Sequence, residues 1–178
     1  LPELIVPAIR QTLFALNTIE GAKDKAKRGL RVLKSFLNGL RVSIGDVEVG
    51  LSIDPETGAA DSGDIEADLP ELINALGEAA AAAKKPVAIL ADEMQYLSEK
   101  EFSALIMSIH RTNQNSLPVL LVGAGLPQIL GLAGNSKSYA ERLFTFPKIG
   151  ALSEVDAIRA IVNPALSEGV TIETSAVN

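Results

Sequence analysis

The sequence predicts an α/β protein built on a parallel sheet flanked by helices, and three observations carry that prediction. Two short unbroken apolar runs, Val87–Ala91 and Val119–Val122, lie between segments with helical periodicity. Such runs mark strands buried on both faces of a parallel sheet. The segments alternate as helix, strand, helix, strand, helix, strand, helix, the order of α/β architectures. Aromatics are only 4% of the 178 residues and Trp is absent, so Leu, Ile, Val and Ala must build the core.

The elements follow in order. Leu1 to Asn17 places Ile5, Ile9, Leu13 and Leu16 at helical spacing, with Pro2 at a first-turn position. A second helix is expected from Ala22 to Leu40, with Leu30, Leu33, Phe36, Leu37 and Leu40 on one stripe and cations opposite. Val42 to Ile53 alternates on either side of Gly45-Asp46 and reads as a hairpin or two short strands. Asp54 to Asp68, rich in Gly, Asp and Ser, reads as a flexible surface loop. Leu69 to Lys84 is Ala-rich and helical.

Pro86 opens the first buried strand, which ends in Asp92-Glu93. Ser98 and Glu101 have the spacing of a capping box, and the helix they start turns Phe102, Leu105, Ile106 and Ile109 inward. Leu117-Pro118 leads into the second strand, closed by Gly123-Ala124-Gly125. A short helix follows at Pro127 to Leu132, then a polar loop from Gly134 to Ser138. A third strand is expected within Leu143 to Ile149, and Ser153 caps a last helix, Glu154 to Ile161. There is no internal repeat.

Composition narrows function. A net charge of -6 argues against a general nucleic-acid surface. The cations between Lys23 and Arg41 read as a solvated helix face. With no cysteine there are no disulfides or thiolate metal sites, which fits the cytoplasm. No apolar run is long enough for a membrane span and no signal peptide is seen, so no membrane partner is expected.

Asp92 and Glu93 are the candidate chemistry. Two acids at the carboxyl end of a buried strand stand where open α/β sheets bind ligands. ATP hydrolysis needs both: one carboxylate holds a water of the Mg²⁺ shell, and the other orients the attacking water. The bland alternative has Asp92 capping the turn and Glu93 solvated. A receiver-like phosphoacceptor would need further acids after the first strand and a later Lys, and neither is in place. His110-Arg111 ends a helix, where cations favour the dipole, and a lone His lacks the partners of a metal site.

Ile89-Leu90-Ala91-Asp92-Glu93-Met94-Gln95-Tyr96-Leu97-Ser98 resembles the Walker B region of bacterial AAA-type ATPases of the origin-recognition-like group. Leu117 to Gln128, Ser138 to Phe144 and Ile149 to Ser153 resemble the segments that follow it there. The resemblance covers most of Pro86 to Pro164. It implies a three-layer P-loop NTPase-like sheet flanked by helices, with a Walker B strand at 87–93 and a sensor-type strand at 118–122. It implies ATP and Mg²⁺ as cofactors, Asp92 as the Mg²⁺-associated acid acting through water, and Glu93 as the base. The sensor position departs from the pattern, because Gly123-Ala124-Gly125 offers no side-chain hydrogen bond; Gln128 or Gln95 is the substitute. Arg142 stands where this group often has an arginine that stabilises the γ-phosphate; its other reading is a surface Arg paired with Glu141 or Glu154.

No G-x-x-x-x-G-K-[ST] segment is present. Gly58 and Gly63 are followed by Asp64-Ile65, and Gly45 and Gly50 by Leu51-Ser52. Residues 1–178 are therefore expected to be a partial ATPase core without its P-loop strand or lid, inactive alone and holding no ATP tightly. The alternative is a naturally P-loop-less interaction or oligomerisation module, with the acidic loop and the hairpin as partner surfaces. Loss of the P-loop strand would leave a gap of unpaired backbone. The gap is expected to be closed by the Val42–Ile53 hairpin, a shifted last strand, or a second copy of the chain as a homo-oligomer. The resemblance leaves DNA open as a partner, through a separate winged-helix domain of which these residues show nothing.

Overall fold

A computed structural model describes residues 1–41, 53–129, 131, 143–147 and 149–176. The chain divides into two units, Leu1–Phe144 and Thr145–Asn178. The first is mixed α/β. Its helices are α1 (Pro2–Asn17), α2 (Lys23–Leu40), α3 (Ile65–Ala83) and α4 (Glu99–Gln114), and its strands are β1 (Val87–Ala91) and β2 (Val119–Gly123). β1 and β2 pair in parallel, with Val87 opposite Val119 and Ala91 opposite Gly123. The α4 connection between them makes a β–α–β unit.

Amphipathic stripes assemble the core. Ile5, Ile9, Leu13 and Leu16 of α1 are buried, as are Leu30, Leu33, Phe36 and Leu37 of α2. α3 packs against both α2 and α4. Its Gly77 allows β2 to approach: a Cβ there would stand 3.0 Å from the Leu117 side chain and 3.1 Å from Val119 Cγ2. The Ser98–Glu101 capping box forms as expected, with the Glu101 N–H donating to Ser98 Oγ (3.3 Å) and the Ser98 N–H to Glu101 Oε2 (2.9 Å). Phe102, Leu105, Ile106 and Ile109 of α4 all reach the core.

The expected flexible loop is instead a segment whose acids fold back onto its own backbone. Asp68 is only 2% exposed. It accepts from the Ser62 N–H (3.1 Å), the Ser62 hydroxyl (2.7 Å) and the Gly63 N–H (2.8 Å). Asp61 accepts from the Gly58 N–H and Glu71 from the Ala60 N–H. Asp64 caps α3 by accepting from the Glu66 N–H, so the helix starts at Ile65 rather than Leu69. The Asp64 carboxylate thus satisfies one of the orphan donors at this helix end, while the donors to Asp61, Asp68 and Glu71 belong to the preceding segment.

The cations of α2 are held by carboxylates. Arg28 donates to Glu56 (2.8 Å) and Glu78 (3.1 Å), Lys25 donates to Glu78 (2.8 Å), and Arg31 faces Glu56 at 3.3 Å. Lys25, Arg28 and Arg31 are thus paired within the protein.

Two further expectations need correction. The apolar runs are covered on one face only: Val87, Ile89, Ala91, Val119 and Leu121 pack against the core, while Leu90 is 76%, Leu120 60% and Val122 50% exposed. A run apolar at every position asks for a layer on each side, and the described residues supply one. Leu143–Ile149 is not a strand among its described residues. Pro147 interrupts it, lacking the N–H a ladder needs. Among the described residues β2 pairs with β1 alone. The expected hairpin, Val42–Ile53, lies outside the described residues except for Ile53.

The second unit holds α5 (Glu154–Ser167), six residues longer than expected and continuing through Pro164. Ser153 caps it by accepting from the Asp156 N–H (3.2 Å). None of its residues is buried. Among the described residues no helix is long and apolar enough to cross a membrane.

Candidate functional site at the carboxyl end of the sheet

The chain leaves β1 through Asp92 and turns sharply at Glu93, whose φ of 54° and ψ of 36° lie in the left-handed region. For a residue with a Cβ that conformation costs roughly 1–2 kcal/mol. Asp92 helps fix it, its Oδ1 accepting from the Glu93 N–H at 2.8 Å. A single 3₁₀ turn, Met94–Tyr96, follows, with Met94 buried.

β2 ends beside this turn, and pairing continues past the formal strands. The Ala124 N–H donates to the Ala91 carbonyl (2.8 Å), and the Met94 N–H to the Ala124 carbonyl (3.0 Å). Glycine at 123 and 125 makes this fit. A Cβ on Gly123 would collide with the Met94 sulfur, and one on Gly125 would stand 2.5 Å from Gln95 Oε1 and 3.2 Å from the Met94 nitrogen. The Gly-Ala-Gly segment that offers no sensor side chain thus has a steric reason.

Gln95 spans the two strand ends. Its Nε2 donates to Glu93 Oε2, and its Oε1 accepts from the Leu126 N–H at 3.0 Å. A carboxylate can only accept from the amide and an N–H can only donate to it, so these partners define which end is which.

Of the expected site residues, Asp92 and Glu93 stand together, both exposed, at the carboxyl edge of β1. Gln95 joins them. Gln128 does not: it is exposed in the turn after Pro127, its carbonyl accepting from the Gly131 N–H. Arg142 lies outside the described residues, as does all of Ser138–Arg142. His110, on α4, is not part of this edge.

The arrangement offers two exposed carboxylates side by side, Asp92 accepting from the Glu93 N–H and Glu93 from the Gln95 amide. Among the described residues no three His, Asp or Glu side chains gather as a metal cage. A Mg²⁺ that keeps its waters and is carried by phosphates needs only one or two carboxylates, so Asp92 fits that use. Basic side chains to cradle the phosphates are not found in the 87–97 and 119–129 segments. An open depression lined by Arg31, Lys34, Ile53, Asp54 and Pro55 belongs to α2 and the acidic loop and not to this edge.

The chain matches no family model, no curated protein and no solved structure.

Proposed function

We propose that this chain is part of the core of an ATP-hydrolysing protein of the AAA type. Asp92 would carry the Mg²⁺ shell through water, and Glu93 would polarise the attacking water. The observation that carries the reading is the pair Asp92-Glu93 at the carboxyl end of β1, beside the parallel neighbour β2. Ligands of open α/β sheets bind at that edge. The left-handed backbone at Glu93 adds support, because strained residues concentrate at working sites. In a three-layer sheet of this kind, a further layer would cover Leu90, Leu120 and Val122.

ATP and Mg²⁺ are the proposed cofactors, with the phosphates held by residues beyond this sequence. These 178 residues alone are proposed to bind Mg-ATP weakly and to turn over none. Calorimetric titration of the chain with Mg-ATP tests this, and submicromolar affinity would overturn it. Arg142 is retained as the proposed γ-phosphate contact. The freedom from cysteine supports a cytoplasmic setting.

A second reading is favoured by one specific observation. The uncovered apolar face of Leu90, Leu120 and Val122 suits an interaction or oligomerisation module. The acidic loop suits it less, since Asp61, Asp64 and Asp68 accept from backbone N–H groups of their own segment and Glu56 is paired with Arg28 and Arg31. ATP turnover by the full product of this reading frame separates the two readings: the first requires it and the second does not.

A further inference from the structure

Besides their backbone pairing, the two sides of the sheet's carboxyl edge are linked by the hydrogen bonds of one side chain. Gln95 touches the acid of one strand end and the backbone of the other, and no other side chain in the segments 92–97 and 123–129 makes both contacts. Its own position is over-determined. Met94 is buried beneath it, the Met94 N–H is tied to the Ala124 carbonyl, and Gly125 leaves no room for a Cβ between the segments. Gln95 therefore cannot move independently of the loop that follows β2. The Glu93 carboxylate, exposed and on a long side chain, has Gln95 Nε2 as the group that selects one rotamer for it. A shift of the 124–126 backbone removes the Leu126 N–H from Gln95 Oε1, and the amide turns with it.

We propose that Gln95 is a positioning residue that couples the Glu93 carboxylate to the loop after β2, so that movement of that loop sets whether Glu93 is held or released. The regulatory consequence rests on the reading of Glu93 as the group that polarises water. The coupling itself does not. In hydrolysis terms, the loop after β2 reports its state to Glu93 through the Gln95 amide, the task that the side-chain-free Gly-Ala-Gly segment cannot perform directly.

The test is a cycle of amide hydrogen exchange measured by NMR on the 178-residue chain, reading Leu126 relative to Ile106 in the core of α4. The ratio removes any effect of a variant on global opening. Gln95→Met keeps the bulk and removes both bonds, and should speed Leu126 exchange by ~10-fold. Glu93→Ala, which touches nothing on the β2 side, should also speed it, by ~3-fold, because the amide loses its orienting partner. Glu93→Gln still offers an oxygen acceptor and should stay near the parent rate. In the Gln95→Met background Glu93→Ala should add nothing. A parent-like Leu126 rate in Glu93→Ala, or an equal acceleration with and without Gln95, overturns the proposal. In the ATP-hydrolysing protein, Gln95→Met should lower kcat by ~10-fold with KM for ATP unchanged; an unchanged kcat overturns the regulatory consequence, while the exchange cycle decides the coupling. Absence of turnover in the parent protein counts against the hydrolysis reading alone, since the exchange cycle needs no ATP.

Discussion

Gly125 lies so close to Gln95 that a Cβ built on it would stand 2.5 Å from the Gln95 amide oxygen. The flexible amide could yield, but the Met94 nitrogen, 3.2 Å from the same point, is backbone and could not easily do so. Gly125→Ala should therefore destabilise the chain by about 1–3 kcal/mol, the usual range for overpacking. Urea unfolding followed by circular dichroism checks this. A change under ~0.5 kcal/mol would mean that the two segments have room to separate.

Asp68 is a second point where one side chain organises a segment. It is buried and accepts from three donors of Ser62 and Gly63. Asp68→Ala leaves those donors without their acceptor and should cost about 2–4 kcal/mol, seen as a lowered urea midpoint. An unchanged midpoint would show that water replaces the carboxylate at no loss.

Glu78 carries a pH-dependent contribution. Burial raises its pKa, but the hydrogen bonds and charges of Lys25 and Arg28 together outweigh burial and hold the group below its ordinary value of 4.5. A depressed folded-state pKa stabilises the fold above the unfolded value, and the gain is lost as pH falls through the folded one. The stability difference between the parent and Glu78→Gln should thus be constant above pH 4.5 and shrink below it. A difference that grows on acidification would contradict the sign.

The exposed sheet face gives a prediction of opposite character. Leu90 is 76% exposed, so Leu90→Lys should change stability by less than ~0.5 kcal/mol while reducing binding of a hydrophobic dye. A loss above ~2 kcal/mol would show that the face is covered in solution, since burying an unpaired charge is what costs that much. Dimer dissociation on the same change, followed by sedimentation, would identify a second copy as the cover.

Legibility of this chain in its sequence divided along a physical line. α1, α2, β1, β2 and the Ser98–Glu101 cap were readable because local periodicity and capping chemistry determine them. The order of the 54–64 segment was hidden, because it depends on where each carboxylate points. The acids at Asp64, Glu66 and Asp68 were nevertheless the available signal that α3 begins early. The apolar content of Leu143–Ile149 suggests a strand, but Pro147 has no N–H for a ladder and none forms among its described residues. At the site, Asp92-Glu93 was legible from its place after an apolar run. The bond from Gln95 to Leu126 was not, because it needs the left-handed turn at Glu93 and the close approach of Gly125. Only the spacing of Gly123 and Gly125 hinted at it.

The most direct measurement is Mg-ATP turnover and binding by the full product of this reading frame, compared between the parent protein and Glu93→Gln. The account predicts turnover in the parent and a loss of at least ~100-fold in Glu93→Gln, with ATP affinity preserved within ~3-fold, as expected for removal of a group that acts on the attacking water. Turnover that survives Glu93→Gln, or a parent protein that hydrolyses no ATP, would contradict it.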